Sequence, residues 1–75
     1  MNNEITLLSV VALTEDLPEK GLRRGQVGTV VEILAPDTFE VEFSDDEGRT
    51  YAMLALQDGM LMALRYQPDQ SPSVA

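Results

Sequence analysis

An all-β fold is predicted by three observations on the sequence. Apolar residues recur at every second position more regularly than at helical spacing, and Gly, Pro and Asp interrupt the chain at short intervals. The segments also follow a telling order: a short strand, a long polar loop, three closely spaced strands, and a last strand after a tight break.

Leu8 to Leu13, with Val10, Val11 and Leu13, reads as the first strand. Thr14 to Gln26 is then a loop of about thirteen polar or irregular residues, long for a compact domain and in need of a structural reason. Gly28 to Leu34 is rich in β-branched residues, with Gly25 and Gly28 on one side and Ala35-Pro36-Asp37 on the other. Thr38 to Phe43 alternates most clearly, placing Phe39, Val41 and Phe43 on one face and Thr38, Glu40 and Glu42 on the other. These two strands are expected to form an antiparallel hairpin through the Pro-Asp turn. The polar stretch Ser44 to Arg49, with Gly48 at positive φ, turns the chain into Thr50 to Leu56 and completes a meander. Gln57-Asp58-Gly59 breaks the chain again, and Met60 to Leu64 supplies a fifth strand.

Five strands in this order describe a small five-stranded SH3-like barrel over residues 1–67, followed by a flexible C-terminal tail over 68–75 where Pro68, Pro72 and small polar residues gather. Curling the sheet lets one row of side chains serve as a core, with Val11, Leu13, Val31, Ile33, Phe39, Val41, Phe43, Met53 and Leu61 as the expected inward set. An α+β alternative makes Met53 to Leu64 a helix; its residues favour one, and Asp58-Gly59 in the middle opposes it.

Composition narrows the function. A chain of 75 residues buries only about 60% of the surface it exposes when unfolded, so its stability must come from good packing or a partner. With no Cys and no His, thiolate chemistry, disulfides and the commonest general base and metal ligand are excluded. Thirteen acidic residues against five basic ones give a net charge of −8, a field that repels nucleic acid. No apolar run approaches the length of a membrane span, and a cytoplasmic protein is the expectation.

The candidate residues each have a competing structural role. Asp45, Asp46 and Glu47 put three carboxylates in one turn, but without the ligand spacing of a calcium loop they read as a solvated hairpin turn. Glu40 and Glu42 share a strand face at about 7 Å, as paired glycosidase acids can, and equally as any wet strand face does. Arg23 and Arg24, between Gly21 and Gly25, can clamp an anion or pair with Glu15, Asp16 and Glu19. Tyr51 and Tyr66 are expected to pack with their hydroxyls at the rim rather than to build a groove. The C-terminal strands differ, because both of their faces are apolar. Leu54, Leu56, Met60, Met62 and Leu64, together with Arg23 and Arg24, form the expected protein interface, covered either by the chain itself or by another molecule, most simply a second copy.

The run Leu17-Pro18-Glu19-Lys20-Gly21-Leu22-Arg23-Arg24-Gly25-Gln26-Val27-Gly28-Thr29-Val30-Val31, followed by Phe39-Glu40-Val41-Glu42-Phe43 and Gly48-Arg49-Thr50, resembles a domain-of-unknown-function family of short bacterial proteins, frequent in cyanobacteria. The resemblance covers roughly Val10 to Leu64 and implies a small β-barrel of unassigned role, with no catalytic motif to transfer. The L-P-x-x-x-x-G and G-x-V themes are similar, more weakly, to the barrel of nitrile hydratase beta subunits and their activator proteins. Gly25 to Val31 also resembles the Kyrpides-Ouzounis-Woese motif, here without the surrounding Lys and Arg that RNA binding requires.

Together these readings predict a non-catalytic protein-interaction module whose partner is a protein or a second copy in a homodimer. They predict no cofactor, metal, small-molecule substrate, nucleic acid or membrane. The alternatives are an acidic mimic of nucleic acid, resting on the charge of −8, and an accessory subunit of a metalloenzyme of nitrile hydratase type.

Overall fold

A computed structural model of the chain describes residues 5–65. It contains five strands, β1 (Val10–Leu13), β2 (Val27–Ala35), β3 (Thr38–Ser44), β4 (Thr50–Gln57) and β5 (Leu61–Ala63), with short 3-10 turns at Pro18–Lys20 and Asp58–Met60. All pairings are antiparallel and form one sheet in the order β4-β3-β2-β1-β5. The expected all-β class holds, and Met53 to Leu64 is two strands joined by a 3-10 turn rather than a helix. The expected tail over 68–75 lies outside the described residues, as does Tyr66.

β3 is the central beam. Phe39, Val41 and Phe43 are buried, while Glu40 and Glu42 lie half-buried on the opposite face, as the alternation predicts. Its turns are the predicted ones. The β2–β3 hairpin closes around Pro36-Asp37 with Ala35 opposite Thr38. In the β3–β4 turn the Asp45 carboxylate accepts the backbone N–H groups of Glu47 and Arg49, both at 2.9 Å, and Gly48 takes φ +84°.

The packing of β2 on β3 depends on Gly28, which is paired with Phe43 on one side and Val11 on the other. A Cβ at position 28 would sit 2.7 Å from Val41 Cγ1 and 2.9 Å from the Glu42 carbonyl oxygen, so only glycine fits. The same alternation places Val30 inward, and an irregularity between Val30 and Glu32 makes Val31 the extra residue of β2.

One buried cluster joins Val11, Leu13, Val30, Phe39, Val41, Phe43, Leu56 and Leu61 with Leu17 and Leu22 of the long loop. Leu56 and Leu61 come from the two edge strands, so the sheet curls until its margins share a core. The expected inward set needs three corrections. Val31 is half-buried, and Ile33 and Met53 are exposed; Val30 and Leu56 are buried in their place, with Leu54 packed against the cluster. The bulge at Val31 exchanges Val31 for Val30 on the inner row, and Ile33, although opposite Phe39, lies 47% exposed near the end of β2. In β4 both faces are apolar, so only the pairing of Leu54 with Val41 and Leu56 with Phe39 reveals the inward row.

The long first loop has its structural reason. Leu17 and Leu22 pair across a single bridge with mutual backbone hydrogen bonds of 2.9 and 3.1 Å and drop their side chains into the core. Pro18–Lys20 makes the 3-10 turn between them, and Gly21, at φ +71°, ends it. Gln26 then fastens the loop to β4. Its side-chain oxygen accepts the Arg23 backbone N–H, and its Nε2 donates to the Tyr51 hydroxyl at 3.2 Å. The loop is thus an apolar plug held down by two leucines and one bridging amide.

Two stability predictions follow from this packing. Gly28→Ala should lower the free energy of unfolding by about 1–3 kcal/mol through overpacking, while Gly59→Ala, with open space around it, should stay within about 0.5 kcal/mol of wild type in urea titrations. Leu22→Ala should cost about 2–5 kcal/mol, enough to leave a domain this small largely unfolded by circular dichroism at 25 °C.

Candidate functional site

The core closes the inner face, and the outer face of the sheet is left to solvent. Residues opposite each other in an antiparallel register share a face, so Met62, Ala12 and Val27 form one outward row across β5, β1 and β2. Ala12 is shielded by its two larger neighbours, but Met62 is 51% exposed and Val27 43%. On β4 the outward apolar residue is Met53, 53% exposed, while Tyr51, 47% exposed, lies at the rim of the inner face. Tyr51 is the extra residue at an irregularity between the pairs Phe43–Ala52 and Ser44–Thr50. Its ring lies 6.3 Å from that of Phe43, tilted by 42°, and its hydroxyl meets Gln26 at the rim.

The seven residues expected to form an interface are therefore divided. Leu56 is 3% exposed and belongs to the core; its side chain faces Phe39 and is covered by the chain itself. Leu54 and Met60 pack partly buried against the same cluster, and Leu64 is half-buried. Met62, Arg23 and Arg24 are exposed. The structure adds Met53 and Val27 to the outer apolar set. Alternation in Ala52-Met53-Leu54 carried that information for Met53, but it could not be oriented until the β3–β4 register was known.

The charged candidates are placed differently from their sequence proximity. Asp16 accepts the backbone N–H of Arg24 at 2.8 Å, and among the described residues the ion pairs are those of Arg49 with Asp45 and Glu47. Gly21 and Gly25, both left-handed, donate to the Pro18 and Leu13 carbonyls, and Arg23 and Arg24 are exposed, where an ion pair contributes only about 0–1 kcal/mol. Asp16, Pro18, Gly21, Leu22 and Arg23 line a cavity of about 370 Å³ beside the plug. Glu42 accepts the Thr50 hydroxyl, and its cross-strand neighbour on β4 is Met53; Glu40 faces Ala55. No group of three or more His, Cys, Asp or Glu side chains is arranged to hold a metal among the described residues. No helix among them is long and apolar enough to cross a membrane.

A comparison with curated proteins finds no match, and a comparison with solved structures finds none either. A family model does match, over residues 7–63, from the turn before β1 to the end of β5. Its span takes in the plug, the central beam and both edge strands. The chain belongs to the domain-of-unknown-function family DUF4926.

Proposed function

We propose that this chain is a non-catalytic protein-binding module, built as an SH3-like barrel, that acts in the cytoplasm by contact through the outer face of its sheet. The observation that carries this reading is the outward apolar set Met62, Val27 and Met53, left exposed after the inner face has completed a core. Exposed apolar side chains gathered on one face of a small domain mark a contact surface more often than they serve stability. A sequence without His or Cys supports the non-catalytic part, and the missing cysteine suits a reducing compartment.

A second reading is favoured by one feature of its own. Asp45, Asp46 and Glu47 are all exposed on a single turn of a chain carrying −8, which suits an acidic surface that occupies a basic partner. The two readings separate by salt. Immobilised wild-type chain and a Met62→Lys variant, both folded by circular dichroism, are challenged with lysate of the native host. The apolar-face reading expects a protein retained by wild type through high salt and lost with Met62→Lys. Retention that survives Met62→Lys but disappears at high salt would favour the acidic surface, and the absence of any retained protein would defeat both.

A further inference from the structure

The β4 margin of the sheet offers pairing groups that the fold does not use. The backbone N–H of Asp58 donates to the Asp37 carbonyl at 2.8 Å, which makes Asp37 and Asp58 a hydrogen-bonded pair. Antiparallel pairs alternate, so Leu56, Leu54 and Ala52 direct their backbone groups to β3, and Gln57, Ala55 and Met53 direct theirs away from the sheet. Native edge strands are usually short, or guarded by Lys, Pro or a bulge. β5 has three residues. β4 has eight, Thr50–Gln57, with no charge and no proline, and its irregularity lies at one end.

The carboxylates beside this edge have no counter-charge of their own. Glu40 and Glu42 stand on the outer face of β3, one strand in from the edge. Glu40 is directly opposite Glu32 of β2, a like-charge pair that costs stability. Among the described residues both ion pairs belong to Arg49, inside the β3–β4 turn, where Asp45, Asp46 and Glu47 still leave that end of β4 net negative. Neither Glu32 nor Glu40 meets a cation there. A local rule broken without an internal gain is expected where a partner supplies the compensation.

We propose that β4 accepts an extended basic segment of another protein as a sixth, antiparallel strand. The proposal takes from the protein-binding reading only that the occupant is a polypeptide, and it places that occupant at the β4 edge rather than over Met62 on the other edge strand. Charge decides the occupant. A second copy would bring its own Glu40, Glu42 and acidic turn to the same edge, and a nucleic acid would meet the same repulsion from a chain carrying −8. The side chains beside the edge then set the pattern. Ala55 is the cross-strand neighbour of Glu40, so a Lys or Arg opposite Ala55 stands two strand spacings, or about 10 Å, from β3 and reaches the Glu40 carboxylate over a small side chain. Met53 stands between the edge and Glu42, so the residue opposite Met53 is apolar. The residue between these two faces inward beside Leu54, and it is apolar as well.

The probe is an end-blocked synthetic peptide, Lys-Val-Lys-Val-Leu-Thr, whose second Lys falls opposite Ala55 and whose Leu falls opposite Met53. Titrated into the full chain and followed by NMR, it should slow exchange of the Met53 and Ala55 amide protons about tenfold or more at saturation. The same peptide N-methylated at the second Lys and at Leu has the charge but not the donors, and its dissociation constant should rise about tenfold or more. Glu40→Gln should weaken binding of the parent peptide about threefold without loss of stability in urea, because it also ends the repulsion with Glu32. Glu19→Gln, the same charge change on the exposed 3-10 turn, should leave binding unchanged. An N-methylated peptide that binds as well as its parent, or protection that falls elsewhere on the sheet, overturns strand addition. Equal binding by wild type and Glu40→Gln overturns the basic occupant, and no binding at millimolar peptide overturns the site. A host protein still retained through Met62 in the lysate experiment would then leave the outer-face reading standing and remove the edge site alone.

Discussion

The contact between Gly28 and the β3 side chains Val41 and Phe43 is the constraint on which the rest of the structure depends. A side chain at position 28 would push β2 away from the central beam, and with it the row that buries Val11, Val30 and Phe43 together. Close approach there fixes the register of β2 on both neighbours. Because strand side chains alternate, that register decides which residue in every adjoining strand faces the core.

The molecule then has to close its core without cross-links. A chain with no cysteine and so few residues relies on apolar cover, and the long loop supplies it. Leu17 and Leu22 seal one end of the curled sheet, and the residues between them are compact because Pro18 begins a 3-10 turn and Gly21 ends it in a left-handed conformation. Gln26 links this plug to Tyr51 on β4. The long loop is thereby part of the packed body, while its arginines remain at the surface.

The proposed function rests on the difference between the two faces. The inner face is completed by residues from all five strands and the loop, and no polar or charged residue is buried with them among the described residues. What is left over is the outward apolar set and an uncharged edge strand. Both lie on regular sheet, where side-chain directions are held by the ladder, and this rigidity suits recognition by contact. The carboxylates of Asp45 and Asp16, by contrast, are occupied in holding turn and loop backbone in place.

Much of this architecture was legible in the chain itself. The alternation of Phe39, Val41 and Phe43 with Glu40 and Glu42, the Pro36-Asp37 and Gly48 turns, and the break at Asp58-Gly59 determined the strands and their order, because local backbone preferences and a two-residue period suffice for that. The sequence alone also determined the charge of −8 and the absence of His and Cys. Tertiary structure decided the faces of β2 and β4. The bulge at Val31 reverses the parity of one, and the other is apolar on both sides, so only cross-strand pairing could turn Leu56 inward and Met53 outward. It also decided that Leu17 and Leu22 belong to the core, because burial of a loop residue depends on what lies beneath it and leaves no periodic trace in the residues around it.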